Sequence, residues 1–283
     1  MKTQQILIWA LTFGAAMASG SLSAEEVKNA ISSEKSNIDM SDPTDVYTYL
    51  GASYGSEGMN IKGQLMLSGD TAGHGQKSGI IFEMRNVFNE GDKDPQFTGI
   101  GSTGATFNDE ADNSSYRLRY GTINTTTGVG WSIDAVLADH PFFGDVAVVQ
   151  AGPVMTIPVA KNFYVWPILY AGLVLTDDNI QDLNPLAPAE LSSGVDIAST
   201  VLTMTVYARY TISEHWWILA NTSYTSDIGG KSWDDDVSTG GLQLESSTTE
   251  LSLGYQKNQK QNVRLYASTA DDDSFWVEYN HAF

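Results

Sequence analysis

The sequence predicts an all-β chain folded as a transmembrane, antiparallel, up-and-down β-barrel of about twelve strands. Three observations lead there. From about Asp45 to the end, apolar and polar residues alternate with the period of two that sends successive side chains to opposite faces of a strand, while helical periodicity is scarce. The connections between these runs are short and long in turn. One face of the runs is kept free of charge.

Taken in order, the first element is "MKTQQILIWALTFGAAMASGSLSA", with one lysine, an apolar stretch from Ile6 to about Ala18 and small residues after it. That pattern is a secretory signal peptide over residues 1–24, because the apolar core is too short to span a membrane. Cleavage after Ala18 or after Ala24 suits the small residues. The chain contains no cysteine, so neither a lipid anchor on a thiol nor a disulfide is expected. Residues 25–44 are polar and weakly patterned, and are expected to form a mobile periplasmic tail. The formal charge of -19 and pI near 4.3 argue against nucleic acid as a partner.

The barrel is expected over residues 45–283. Strands are predicted near 45–54, 58–68, 78–88, 115–124, 128–138, 145–157, 162–175, 197–211, 215–225, 243–256, 262–269 and 274–283. Most have the roughly nine to eleven residues that a tilted membrane strand needs. Counting back from the C-terminus, "NQKQN", "SEH", "VAKN" and "NTTTG" are short. They alternate with "ADDDS", "SDIGGKSWDDDVSTGG", "TDDNIQDLNPLAPAELSSGVD", "ADHPFFGD" and "NEGDKDPQFTGIGSTGATFNDEADNSS". Tight turns on the periplasmic side and long loops outside give this alternation. "SGDTAGHGQKS" is long for a turn and "GSEG" short for a loop, which leaves ten and fourteen strands as alternatives.

The faces sort by charge. Tyr116, Leu118 and Tyr120 oppose Arg117 and Arg119; Leu202, Met204, Val206, Ala208 and Tyr210 oppose Thr203, Thr205, Tyr207 and Arg209; Val263, Leu265 and Ala267 oppose Arg264; Ile80, Phe82 and Met84 oppose Glu83 and Arg85. A lipid-facing Arg or Lys at mid-bilayer costs about 2–4 kcal/mol, so a charge-free face is expected there. Trp131, Trp216, Tyr224, Tyr279 and Phe283 are expected in interfacial girdles. A soluble β-sandwich is disfavoured by that face and by the ordered last strand.

In that last strand Phe275, Val277, Tyr279 and Phe283 share one face. Together with the signal peptide and the alternating connections, it resembles a Gram-negative outer-membrane β-barrel protein of porin-like kind. The resemblance covers the chain from about Asp45 onward and identifies no subfamily. It implies residence in the outer membrane among its lipid and lipopolysaccharide. It also implies that Phe275, Val277, Tyr279 and Phe283 form the signal read by the barrel-assembly machinery. His281 departs from that pattern, where a more apolar residue is usual.

The opposite face carries the chemistry. Lys62, Arg85, Arg117, Arg119, Arg209 and Arg264 fall on inward positions, against fewer inward acids: Glu83, Asp134, Glu250 and Glu278. A ladder of basic groups favours small anionic solutes in a pore. The competing reading is a closed structural or adhesive barrel, in which the arginines pair with these carboxylates and acidic loops face outward. The strand "FYVWPILYAGLVL" is apolar on both faces, so part of the interior is expected to be dry or covered. The histidines, His74, His140, His215 and His281, lack a serine at motif spacing, and no enzyme activity is expected. "WDDDV" and "ADDDS" lack the alternating ligands and glycine of a calcium loop, and no metal or cofactor is expected.

Overall fold

The computed structural model describes residues 38–56, 58–69, 75–87, 97–101, 104–107, 114–140, 144–176, 196–230, 246–268 and 274–283. The signal peptide, residues 25–37 of the tail, the acidic clusters of the long loops and His74 lie outside the described residues, as does the side chain of His140.

The strands are β1 (Tyr49–Gly55), β2 (Gly58–Ser68), β3 (Gln76–Val87), β4 (Phe97–Gly101), β5 (Gly104–Phe107), β6 (Ser115–Asn124), β7 (Val129–His140) and β8 (Gly144–Met155), then β9 (Ile157–Ala160), β10 (Phe163–Thr176), β11 (Asp196–Thr211), β12 (Trp216–Gly230), β13 (Ser246–Asn258), β14 (Gln261–Ser268) and β15 (Ser274–Ala282). Twelve of them make the wall, each antiparallel to the next in sequence, and β15 pairs with β1 from Tyr49↔Ala282 to Gly55↔Trp276. Closure leaves the wall without a free edge, which is what a strand needs where no water can satisfy its backbone. The count is twelve, which settles the alternatives of ten and fourteen.

Three elements differ from expectation. β9 continues β8 past Thr156 and pairs with β10 at the turn end. The long connection after β3 contains the hairpin β4–β5, which sequence patterning assigned to loop. Its backbone lies near β6 and β7 on one side and near β12 and β13 on the other, so it crosses the loop-end mouth. Finally, β12 runs on to Gly230, so Tyr224 faces outward from within a strand and not from its end.

Side-chain direction follows the alternation. Leu118, Leu202, Met204, Val263, Leu265 and Phe82 are exposed on the outside, while Arg117, Arg209 and Arg85 are buried within. Near the turn end Trp131, Trp216, Tyr279 and Phe283 point outward; near the loop end Tyr54, Tyr116 and Phe275 do. A closed barrel with an apolar exterior flanked by aromatics is an outer-membrane barrel, and that membrane is where the chain resides.

The interior is packed on one side. β10 sends Tyr164, Trp166, Ile168 and Tyr170 inward to meet Tyr207, Trp217, Leu219, Val154, Ile123 and Val46. This is the dry wall expected from the doubly apolar strand. Two glycines make room for it. A Cβ at Gly152 would stand 1.7 Å from the carbonyl oxygen of Leu169, and one at Gly254 would stand 2.1 Å from the Trp217 ring.

Candidate functional site

All ten charged residues expected inward do lie inside the barrel, and strand register explains their neighbours. Glu83 stands opposite Arg117, Arg119 opposite Asp134, and Asp134 opposite Gln150, across β3, β6, β7 and β8. Arg117 grips the fully buried Asp134 with two bonds, Nε to Oδ1 and Nη2 to Oδ2, each 2.7 Å. Gln150 donates to Asp134 Oδ2 at 3.1 Å, Arg119 Nε lies 3.5 Å from Oδ1, and Glu83 Oε2 lies 3.8 Å from Arg117 Nη1. Bidentate geometry is what a planar guanidinium offers a carboxylate.

A second group sits on the other side of β1. Lys62 reaches Glu278 Oε2 at 2.5 Å, and Arg264 Nε lies 3.7 Å from Glu278 Oε1. Arg264 is the register partner of Glu278, but Lys62 must cross β1 to meet it. β1 presents only Gly51 and Ser53 at that level, which leaves the space. Asn221 Nδ2 lies 3.5 Å from the buried Glu250, its register partner. Arg85 lies over the Trp276 ring at 5.7 Å, and Trp276 stacks on Tyr266 at 4.9 Å.

At the turn end of the lumen, the reading of residues 25–44 as a mobile tail is corrected for its described part, residues 38–44. Residues 38–44 are seated inside the barrel, and residues 45–48, expected as strand, lead from there to the wall. Met40 is fully buried against Tyr47 and Ala282. Gln256 brackets this stretch, accepting from Met40 N at 3.1 Å and donating to Ile38 O at 2.9 Å. Arg209 donates through Nη1 to Asp39 Oδ2 and to Ser41 Oγ, and Arg264 Nη2 donates to the Met40 carbonyl. Lys77 Nζ pairs with Asp45 Oδ1 at 3.0 Å, and Gln64 Nε2 donates to Asp45 O at 3.4 Å. The physical reason is charge. Two of the segment's acids, Asp39 and Asp45, each meet a cation of the wall there.

Sequence reasoning missed Lys77 and the segment's Asp39, Asp42 and Asp45. The signal was present as acids at every third place around a proline, "DMSDPTD". It went unread because nothing local ties that spacing to Arg209, far along the chain. Among the described lumen side chains the wall supplies seven cations (Lys62, Lys77, Arg85, Arg117, Arg119, Arg209, Arg264) and four carboxylates (Glu83, Asp134, Glu250, Glu278). The segment's three aspartates bring the formal balance to zero. Segment and wall together enclose a cavity of about 100 Å³, lined by Asp42, Lys62, Arg119 and Glu250 among others.

Asp42 is the least comfortable of the three. It keeps some surface open to this cavity, yet the surrounding protein strips most of its water. That desolvation pushes its carboxyl up to about 7, against the pull of Arg209 and helped by Asp39 and Asp45. An acid whose seated value exceeds its exposed one, about 4, holds its proton more readily when seated. Seating is therefore favoured at low pH and weakens as the pH climbs from about 4 through about 7. Asp42→Asn removes this dependence. The check is alkylation of a cysteine placed at Met40, with and without Asp42→Asn. Between pH 5 and 8 the rate with Asp42 retained is expected to rise relative to the rate with Asp42→Asn added, and a flat ratio would show no ionisation penalty.

The remaining histidines sit away from the lumen groups. His215, in the turn before β12, contacts Glu214 and the Gln256 carbonyl, and His281 lies beside Phe283 and Tyr279.

No protein-family profile and no curated protein sequence matches the chain. Among solved structures it is similar to the NanC porin, with a TM-score of 0.45 and 8% identity over 83% of this chain and 98% of that one. It is similar to the KdgM porin, with a TM-score of 0.43 and 8% identity over 84% and 99% of the two chains. An outer-membrane channel from Pseudomonas putida F1 gives 0.48 and 9% over 86% and 98%.

Proposed function

We propose that the barrel is a porin-like passage for small anionic solutes, lined by Lys62, Arg85, Arg117, Arg119, Arg209 and Arg264. The observation that carries this reading is that the lumen already binds acids: Asp39 and Asp45 sit on Arg209 and Lys77. Among the described lumen side chains the wall has three more cations than carboxylates, an excess that favours anions wherever solvent or solute enters it. The test is conductance of the refolded protein in a planar bilayer, with the reversal potential read under a potassium chloride gradient. Anion preference is expected, and Arg119→Ala is expected to move the reversal potential towards zero. Cation preference or no selectivity would sink the reading.

A second reading is favoured by a specific observation. Glu83, Asp134 and Glu278 each lie against a wall cation, and the cavity between segment and wall is about 100 Å³. On that reading the barrel is a closed structural body whose acidic loops meet the exterior. A folded barrel that stays silent even with residues 38–46 withdrawn selects it.

We also infer that the outward row Phe275, Val277, Tyr279 and Phe283 is the signal for assembly, with lipid and lipopolysaccharide as its surroundings. Phe283 is exposed and makes one backbone bond, to Thr48 O at 3.0 Å. Phe283→Ala should therefore lower the amount of barrel inserted in cells severalfold and leave the unfolding midpoint of refolded protein unchanged. An equal fall in both would make the residue structural.

A further inference from the structure

The segment of residues 38–46 and the wall it rests on are built differently. The wall places its cations without help from the segment. Tyr164 is the register partner of Arg209, and the guanidinium lies 4.8 Å from the Tyr164 ring and 5.4 Å from the Trp166 ring. Those rings stack on each other at 5.9 Å. Cation–π contact on its planar face leaves a guanidinium's edge donors pointing into the lumen. Arg264 is likewise held by the wall, donating to Tyr266 Oη at 2.9 Å and lying 5.9 Å from the Trp217 ring.

The segment, by contrast, supplies acceptors. Asp39 and Ser41 meet Arg209, and the Met40 carbonyl meets Arg264, so adjacent residues bring the two arginines onto one small set of oxygens. It has no strand or helix of its own, only turns such as Asp42 N to Asp39 O at 3.1 Å and Asp45 N to Asp42 O at 3.3 Å. Its buried apolar side chains are two, Met40 and, at its end next to the wall, Val46. The wall strands begin at Tyr49, so withdrawal of the segment breaks no pairing in the barrel. It would leave the described lumen with seven cations facing four carboxylates.

We propose that residues 38–46 are an internal ligand, and that Arg209 and Arg264 form a carboxylate-binding station which the segment fills at rest and a small carboxylate solute fills in its place. The inference rests on the reading of the lumen as an anion path and names the station and the competitor within it. Competition follows from mass action, since solute binds only the withdrawn form and so shifts the population towards it.

The chain has no cysteine, so a single cysteine at position 40 reports withdrawal cleanly. In nanodiscs, succinate is expected to speed alkylation of Met40→Cys severalfold over sodium chloride of equal ionic strength. Adding Asp39→Asn and Asp45→Asn is expected to speed it about tenfold with no solute present. Hydrogen exchange of the unaltered protein guards against the cysteine itself unseating the segment. Protection of the Met40 amide, bonded to Gln256, should fall in succinate and hold in chloride. If neither readout responds to succinate, the station is overturned and the segment is a fixed part of the fold. Bilayer current separates this inference from the one beneath it. Withdrawal in succinate without current in the Asp39→Asn, Asp45→Asn variant keeps the station and removes the passage. Current with the Met40 amide still protected keeps the passage and removes the segment as its occupant.

Discussion

Replacing Arg117 with alanine is expected to destabilise the barrel by about 3–5 kcal/mol, the cost of leaving a buried charge without its partner. Arg117 is 6% exposed and Asp134 is fully buried. The two bonds between them are 2.7 Å long, and the other groups near Asp134 are weaker substitutes: Gln150 is neutral, and Arg119 approaches only to 3.5 Å. Glu83, 3.8 Å from Arg117, loses a neighbour in the same stroke. Exchanging both partners for apolar side chains, Arg117→Met with Asp134→Leu, should restore most of the loss, because the penalty comes from the orphaned charge. Urea unfolding in detergent, read by tryptophan fluorescence and by gel mobility before and after heating, measures both. A loss below about 1 kcal/mol for Arg117→Ala would mean that water reaches Asp134 and that the pair is effectively solvated.

The next residue predicts the opposite chemistry on the opposite face. Leu118 is 56% exposed and lies within β6, flanked outside by Tyr116 and Tyr120. Leu118→Arg should cost about 2–4 kcal/mol in a bilayer, since the guanidinium then faces hydrocarbon near its midplane. The loss should shrink for arginine at Trp131, near the turn end, where a long side chain reaches the interface. Unfolding equilibria in lipid vesicles give the comparison. Equal costs at positions 118 and 131 would contradict the depth of β6 in the membrane. Together, substitutions one residue apart test both sides of the same wall.

Much of this arrangement was legible beforehand. The run from Tyr116 to Tyr120 shows it: a period of two assigns Arg117 and Arg119 inward and Leu118 outward without knowledge of any neighbour, because a strand has only two faces. The hairpin β4–β5 was not legible, since "FTGIGSTGATF" carries glycines that read as loop and its pairing lies outside the wall. Lys62 facing Glu278 was not legible either. It depends on β15 closing onto β1 and on Gly51 leaving room to reach across.

By itself, then, the sequence determined the barrel, its strands to within a few residues, its lipid face and the inward direction of every arginine. Those properties are local: they follow from alternation along each strand and from the cost of charge in hydrocarbon. Only the tertiary structure decided which cation meets which carboxylate, and that residues 38–46 lie within the lumen and not in the solvent. Those depend on register between distant strands and on a surplus of positive charge that exists only once twelve strands have closed around it. The seat of Asp39 on Arg209 joins residues 170 positions apart, a distance over which local pattern carries no information.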